Sequence, residues 1–214
     1  KGMKADLLLV VDTTGSMADE LSYLQVELEA ILARIEKRHT GVDLRWGLIV
    51  YRDRGDAYVV RGMNFTRDFP RFQAALAQQR AMGGGDMPEA VHSAFEAANR
   101  FDWRPASEAA RLVVHVADAP PHDQQMGAAL EAVRDLRDEG TAVYPVASSG
   151  VDGRGEFFMR SAALMTAGQY VFLTDDSGYG GSHREATASC FRVETLAGVL
   201  GKILDAELQG ERPQ

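Results

Sequence analysis

Short runs of uninterrupted apolar residues alternate with stretches of helical periodicity along this chain, and that alternation constrains the fold more than any other feature. The run ADLLLVV at 5–11 is continuous rather than alternating, as a strand buried on both faces requires. Over 17–38, Leu21, Leu24, Leu28, Ile31, Leu32 and Ile35 recur at helical spacing with Glu and Arg between them. VDLRWGLIVY (42–51) reads as the next strand, and DAYVVRGMNF (56–65) as a short edge strand with a turn. A helix is expected over 68–79, and another from Pro88, placed in its first turn. ARLVVHVAD (110–118), TAVYPVAS (141–148) and QYVFLT (169–174) read as strands. The segments 127–140, 155–168 and 193–208 read as helices, the first two closed by Gly140 and Gly168. Phe157 and Phe158 are both expected in the core.

Strand followed by helix, repeated, gives an α/β fold. The expectation is a doubly wound, mostly parallel sheet of about six strands with one short antiparallel edge strand and helices on both faces. A chain of 214 residues fits one large domain of this kind. No internal repeat, linker or low-complexity run divides it, so residues 1–210 are expected to form a single domain and 211–214 a disordered tail. The single Cys190 excludes a disulfide framework and a thiolate zinc site. A net charge of -8 argues against a general nucleic-acid binder. No stretch reaches the apolar length of a membrane span, and no secretory leader is read in the opening KGMKAD.

In open α/β sheets, ligands bind beyond the carboxyl ends of the strands, where strand order reverses. The polar residues that follow each strand are therefore the informative ones. After the first come Asp12, Thr14 and Ser16; after the second, Tyr51, Arg52 and Asp53; after the VVHVA strand, Asp118. Between them GGGDMPE holds Asp86 and Glu89. Four loops deliver carboxylates to one edge, and such groups repel unless a proton or cation sits among them. Carboxylates and hydroxyls without sulfur are hard donors that suit Mg²⁺, Ca²⁺ or Mn²⁺. Taken alone, the DTTGS triplet fits a capped turn as well as a cation site, since Ser16 could cap free amides and Asp12 could be a turn residue.

The DTTGS segment resembles the Asp-x-Ser-x-Ser motif of von Willebrand factor type A domains, with Thr14 keeping the hydroxyl. The element order resembles that family over nearly the whole chain, and VVHVADAPPH resembles its later strand, which places the closing aspartate at Asp118. The middle loop departs from the threonine many members carry. It looks more like the integrin β-subunit version, which implies Glu89 as a ligand. The same likeness implies a neighbouring calcium site from Asp53, Asp86 and Glu89, and leaves Asp86 open as a direct or water-mediated ligand of the main site. The resemblance implies a metal-ion-dependent adhesion site that binds Mg²⁺ (or Ca²⁺ or Mn²⁺) through Asp12, Thr14, Ser16, Glu89, Asp118 and Asp86. The metal would bridge to an Asp or Glu of a protein partner. A monomer without membrane insertion or catalysis is expected, and the resemblance favours an extracytoplasmic or cell-surface setting. His122 and Tyr179 are expected on the partner-contacting rim, and movement of the last helix (193–208) on ligand engagement is left open.

Two rival readings follow from the same residues. DTTGS also resembles the DKTGT of aspartyl-phosphate pumps and their phosphatase relatives, which would make Asp12 a nucleophile in a Mg²⁺-dependent phosphohydrolase, with LTDDSG (173–178) as the late acidic pair. Against it, Thr13 stands where that motif has lysine. The other rival is a structural domain of a larger protein whose metal only stabilises it. Ser16 and His122 do not make a hydrolase, because no Gly-x-Ser-x-Gly is present. The triple glycine at 83–85 lacks the Gly-Lys-Ser/Thr of a P-loop. His115, mid-strand, is expected in the core, and Arg54-Gly55-Asp56 reads as a turn between two strands.

Overall fold

The computed structural model describes residues 3–38, 40–84, 87–148, 150–173 and 196–209. Among the described residues, six strands form one sheet: β1 (Lys4–Asp12), β2 (Asp43–Tyr51), β3 (Val60–Thr66), β4 (Ala110–Ala117), β5 (Thr141–Ala147) and β6 (Val171–Phe172). Their order is β3-β2-β1-β4-β5-β6, with β2 and β3 antiparallel and every other neighbour parallel. The mostly parallel, doubly wound sheet with one antiparallel edge strand is therefore the fold the apolar runs predict. Order runs one way from β1 to β3 and the other from β4 to β6, so the carboxyl ends of β1 and β4 stand side by side where it reverses.

Among the described residues, helices cover the faces: α1 (Ala18–Arg38), α2 (Phe69–Ala77), α3 (Val91–Asn99), α4 (Met126–Asp138), α5 (Gly153–Thr166) and α6 (Leu196–Gln209). Alternation along β1 assigns the faces. Leu7, Leu9 and Val11 pack with Leu24 and Ile31 of α1, Phe72 of α2 and Ile203 of α6. Leu8 and Val10 pack with Phe95 of α3, Val133 of α4 and Phe158 of α5. Each such buried side chain contributes roughly 1.5–3 kcal/mol, and β1 draws on both cores at once. That is why its sequence carries no polar alternation.

Three local expectations are corrected. Pro88 is not in the first turn of α3, which begins at Val91 after Ala90 as N-cap. The preceding residues instead form a β-bridge between Glu89 and Pro121. Phe158 is buried, but Phe157 is 56% exposed, because adjacent residues on a helix point about 100° apart. Strand β6 is only two residues long within QYVFLT.

At the amino end of the sheet, Asp6 is fully buried and accepts hydrogen bonds from Arg45 (2.8 and 2.7 Å) and from the Arg104 side chain and backbone (both 2.8 Å). Burial alone would raise this carboxyl, but the two guanidinium groups outweigh it and hold the carboxyl below its ordinary value. This network ties β1 and β2 to the segment before β4 and lies at the end opposite Asp12.

Candidate metal centre

Strand β1 ends in Asp12, and the chain turns immediately. The Asp12 Oδ1 accepts from the Thr14 backbone N–H (2.9 Å) and from the Thr14 hydroxyl (2.7 Å). Thr14 is the N-cap of a 3-10 turn, Gly15–Met17, and makes no side-chain cap bond. Its hydroxyl faces the site instead and lies 3.4 Å from that of Ser16. Ser16 sits inside the turn rather than at its cap, and it lowers the Asp118 carboxyl against the rise that burial causes. Met17, fully buried, anchors the turn in the core. Thr13 points the other way, donating to the Tyr51 carbonyl (3.0 Å) and meeting the Tyr58 hydroxyl (2.7 Å).

The middle loop folds over this turn. Met82 N–H donates to the Thr13 carbonyl (3.1 Å) and Gly15 N–H to the Gly83 carbonyl (3.0 Å). A Cβ on Gly84 would meet Thr14 Cβ at 3.1 Å and Glu89 Oε1 at 3.4 Å, so Thr14 and Glu89 flank the same glycine. Glu89 is held from behind by its own N–H to the Pro120 carbonyl (3.0 Å), beside the loop that follows Asp118. Asp12, Thr14, Ser16, Glu89 and Asp118 thus meet at the carboxyl edge between β1 and β4. Asp86, Tyr179, the LTDDSG segment beyond Leu173, Cys190 and the tail 211–214 lie outside the described residues.

The electrostatics of this cluster are unfavourable as it stands. Asp12, Glu89 and Asp118 are all at least 97% buried, and each keeps one oxygen without a hydrogen-bond partner: Asp12 Oδ2, Glu89 Oε2 and Asp118 Oδ1. Burial first, and the Asp118 charge second, push the Asp12 carboxyl up to about 7 against the pull of Thr14. Burial, then the charges of Asp12, Asp53, Asp56 and Asp118, push Glu89 up to about 9. Asp118 is raised by burial and by the charge of Glu20, a buried glutamate in the first turn of α1, while Ser16 opposes the shift. Unpaired buried carboxylates cost several kcal/mol each unless a proton or cation joins them. Among the described residues no three Asp, Glu, His or Cys side chains form a metal-holding group by themselves. An ion here would depend on the hydroxyls of Thr14 and Ser16 as well, and an all-oxygen donor set fits a hard divalent cation.

Neighbouring residues complete the frame. Arg52 is buried, donates to the carbonyls of Thr13 (3.1 Å) and Arg80 (2.7 Å), and lies over the Tyr58 ring. Asp56, read from sequence as part of a turn, reaches the Gly84 N–H. Only tertiary contact reveals that role. Asp53 meets His122 Nε2 at 2.7 Å, so these two residues join each other at the rim. His115 is in the core as expected, fully buried, with Nε2 2.9 Å from the Tyr51 hydroxyl and its ring acidity driven to about 3 by burial. Lys4 stands at the far end of β1 from Asp12, paired with Glu108.

A family model of the von Willebrand factor A domain matches residues 6–177, a span that holds the whole cluster. The chain belongs to the von Willebrand factor A domain family. A stretch of 118 residues is 33% identical to alpha-protein kinase vwkA of Dictyostelium discoideum, covering 55% of this chain and 19% of that one. Another of 117 residues is 36% identical to an ariadne-like RING finger protein of Acanthamoeba polyphaga mimivirus, covering 55% and 11%. The matches thus take up a fifth or less of those relatives' length. Among solved structures, the fold is similar to BatB of Bacteroides thetaiotaomicron (TM-score 0.65, 14% identity, 96% of this chain and 99% of that one). It is also similar to the pilus adhesin SpaC of Lactobacillus rhamnosus GG in its open conformation (TM-score 0.64, 13% identity, 97% and 30%). Domains of the von Willebrand factor A family are generally protein-interaction modules.

Proposed function

We propose that this von Willebrand factor A domain binds a divalent cation at the β1–β4 edge and uses it to hold an acidic side chain of a protein partner. One observation carries the reading: three buried carboxylates of three separate loops each keep an oxygen with no partner, beside two hydroxyls. Thr14, Ser16 and Glu89 would hold the ion with Asp12 and Asp118, directly or through water, and Asp86 belongs to the same loop as Glu89. Mg²⁺ is the favoured ion, with Ca²⁺ and Mn²⁺ as alternatives for the same oxygens. When bound, the ion supplies a positive centre with room for one carboxylate from outside. The protein's own part is to hold the hydroxyls in place: Asp12 Oδ1 orients Thr14, whose hydroxyl lies 3.4 Å from that of Ser16.

The reading is non-catalytic. Asp12 as a phosphoryl acceptor gains no support from its surroundings, since one oxygen is tied to Thr14 twice and Lys4 is at the other end of the strand. The test is calorimetric titration of chelator-treated protein with Mg²⁺, Mn²⁺ and Ca²⁺, beside Asp12→Ala and Glu89→Ala. Saturable binding that weakens in both variants is expected. Absence of binding by all three ions overturns the reading. Binding that stabilises the fold while an acidic partner binds equally well in chelator would leave the metal a structural role only.

A further inference from the structure

We propose that Asp56 is a positioning residue of the metal centre: its carboxylate pins the Gly83–Gly84 turn against the DTTGS loop. The inference rests on the reading of the site given above. Gly83 and Gly84 both have positive φ, +77° and +66°, so the turn uses backbone that side chains other than glycine's rarely adopt. Such a turn has no strand or helix to hold it. Asp56 supplies the hold from the β2–β3 turn. Its two oxygens accept from Gly84 N–H at 3.3 and 3.2 Å, and Oδ2 also accepts from Asp53 N–H at 3.3 Å. Its own N–H donates back to the Asp53 carbonyl at 3.3 Å, which fixes the carboxylate on its side of the turn.

The fit is close. A Cβ on Gly83 would clash with the Asp56 carboxylate, so the carboxylate packs directly against the glycine. On its other side the turn touches the site: the Gly83 carbonyl accepts from Gly15 N–H, and Gly84 lies against Thr14 and Glu89 Oε1. Asp56 therefore reaches two candidate ligands through one rigid pair of glycines, and its charge is felt by both Asp12 and Glu89. Its two oxygens are already engaged by backbone amides, which favours positioning over direct ligation.

The experiment compares wild type, Asp56→Asn, Asp56→Ala and Gly83→Ala by Mn²⁺ titration and by amide hydrogen exchange at Gly15 in the metal-free protein. Asp56→Ala and Gly83→Ala should weaken Mn²⁺ about 10- to 100-fold, as loss of a residue that orients metal ligands does. Both should speed Gly15 exchange. Asp56→Asn, which keeps an oxygen to accept from Gly84, should lose clearly less on both readouts. Equal loss in Asp56→Asn and Asp56→Ala would make Asp56 a ligand or a purely electrostatic residue and overturn the proposal. Unchanged Gly15 exchange in Asp56→Ala and Gly83→Ala would also overturn it. If wild type binds no Mn²⁺, the metal reading fails, and the exchange data alone decide whether Asp56 pins the turn.

Discussion

Asp12 gives one carboxylate oxygen to Thr14 twice, through backbone and hydroxyl, and leaves its other oxygen buried and bare. The pair is therefore oriented rather than merely adjacent. Thr14→Val removes the hydroxyl at nearly constant shape and keeps the backbone bond to Asp12. Its metal affinity should fall tenfold or more, on the order seen when a metal site loses an orienting contact. Thr14→Ser should remain close to wild type. Calorimetric titration with Mg²⁺ checks both, and a Thr14→Val protein that binds as tightly as wild type would remove Thr14 from the ligand set.

Metal-free protein should lose stability as pH rises from about 7 to about 9, chiefly through Glu89, the Asp12 contribution being largely lost by about 7. Asp12 and Glu89 are raised in the folded state, to about 7 and about 9, so the folded chain holds protons that the unfolded chain has already released. Stability from such groups is complete below the unfolded values and is lost as pH climbs through the folded ones. Buried His115 does not interfere, because its contribution is flat above its ordinary value of 6.5. Mg²⁺ replaces the protons, so it should flatten the slope and add about 2.7 kcal/mol at a hundredfold excess over Kd. Thermal melts across that range with chelator and with Mg²⁺ read this directly. A melting temperature that rises with pH in chelator would contradict it.

How far the sequence foretold this depends on the range of the contact. Continuous apolar strands and DTTGS are local signals, and both placed their residues correctly: Asp12, Thr14 and Ser16 share one turn. Asp118 followed from the carboxyl-edge rule once β4 was recognised. Glu89 was placed at the same edge by its loop, but singling it out as a ligand needed a family resemblance, and nothing local shows that the residues before α3 bridge to Pro121 rather than start the helix. Asp56 was illegible, since its importance lies in two glycines 27 and 28 residues away that carry no charge pattern pointing back to it. Phe157 was misplaced because a pair of adjacent phenylalanines cannot both face one core from a helix.

Stability and metal binding should separate at the other end of the sheet. Asp6 accepts from Arg45 and Arg104, whose side chains are only 13% and 11% exposed. Asp6→Ala takes the shared carboxylate from two buried guanidinium groups, while Arg104 keeps Asp43 and Arg45 keeps the Asp102 carbonyl, so the cost is about 3 kcal/mol, the low end for breaking a buried pair. Because this network sits at the opposite end of β1 from Asp12, Mg²⁺ affinity of the folded fraction should not change. Urea unfolding and metal titration on the same variant test the pair of expectations. A large fall in affinity would mean the two ends of β1 are mechanically coupled.

The Tyr51–His115 pair offers the sharpest test of the core beneath the site. His115 Nδ1 has no partner, so Nε2 on the Tyr51 hydroxyl at 2.9 Å is what satisfies the ring. Tyr51→Phe removes that bond and leaves an imidazole in the middle of Phe95 and Phe158, at a cost of about 1–3 kcal/mol. Tyr51→Phe with His115→Leu removes both polar groups and should recover most of the loss, because nothing buried is then left unsatisfied. The acid limb should change as well. His115 is depressed to about 3 in the folded state, so the unfolded chain takes up a proton near 6.5 that the folded chain refuses. Its contribution is present above 6.5 and is lost as pH falls toward 3. The double variant lacks that term, and its stability should decline less between those values. Urea melts across the acid range measure both effects. Equal acid slopes in wild type and double variant would show that burial does not depress His115 in the folded state.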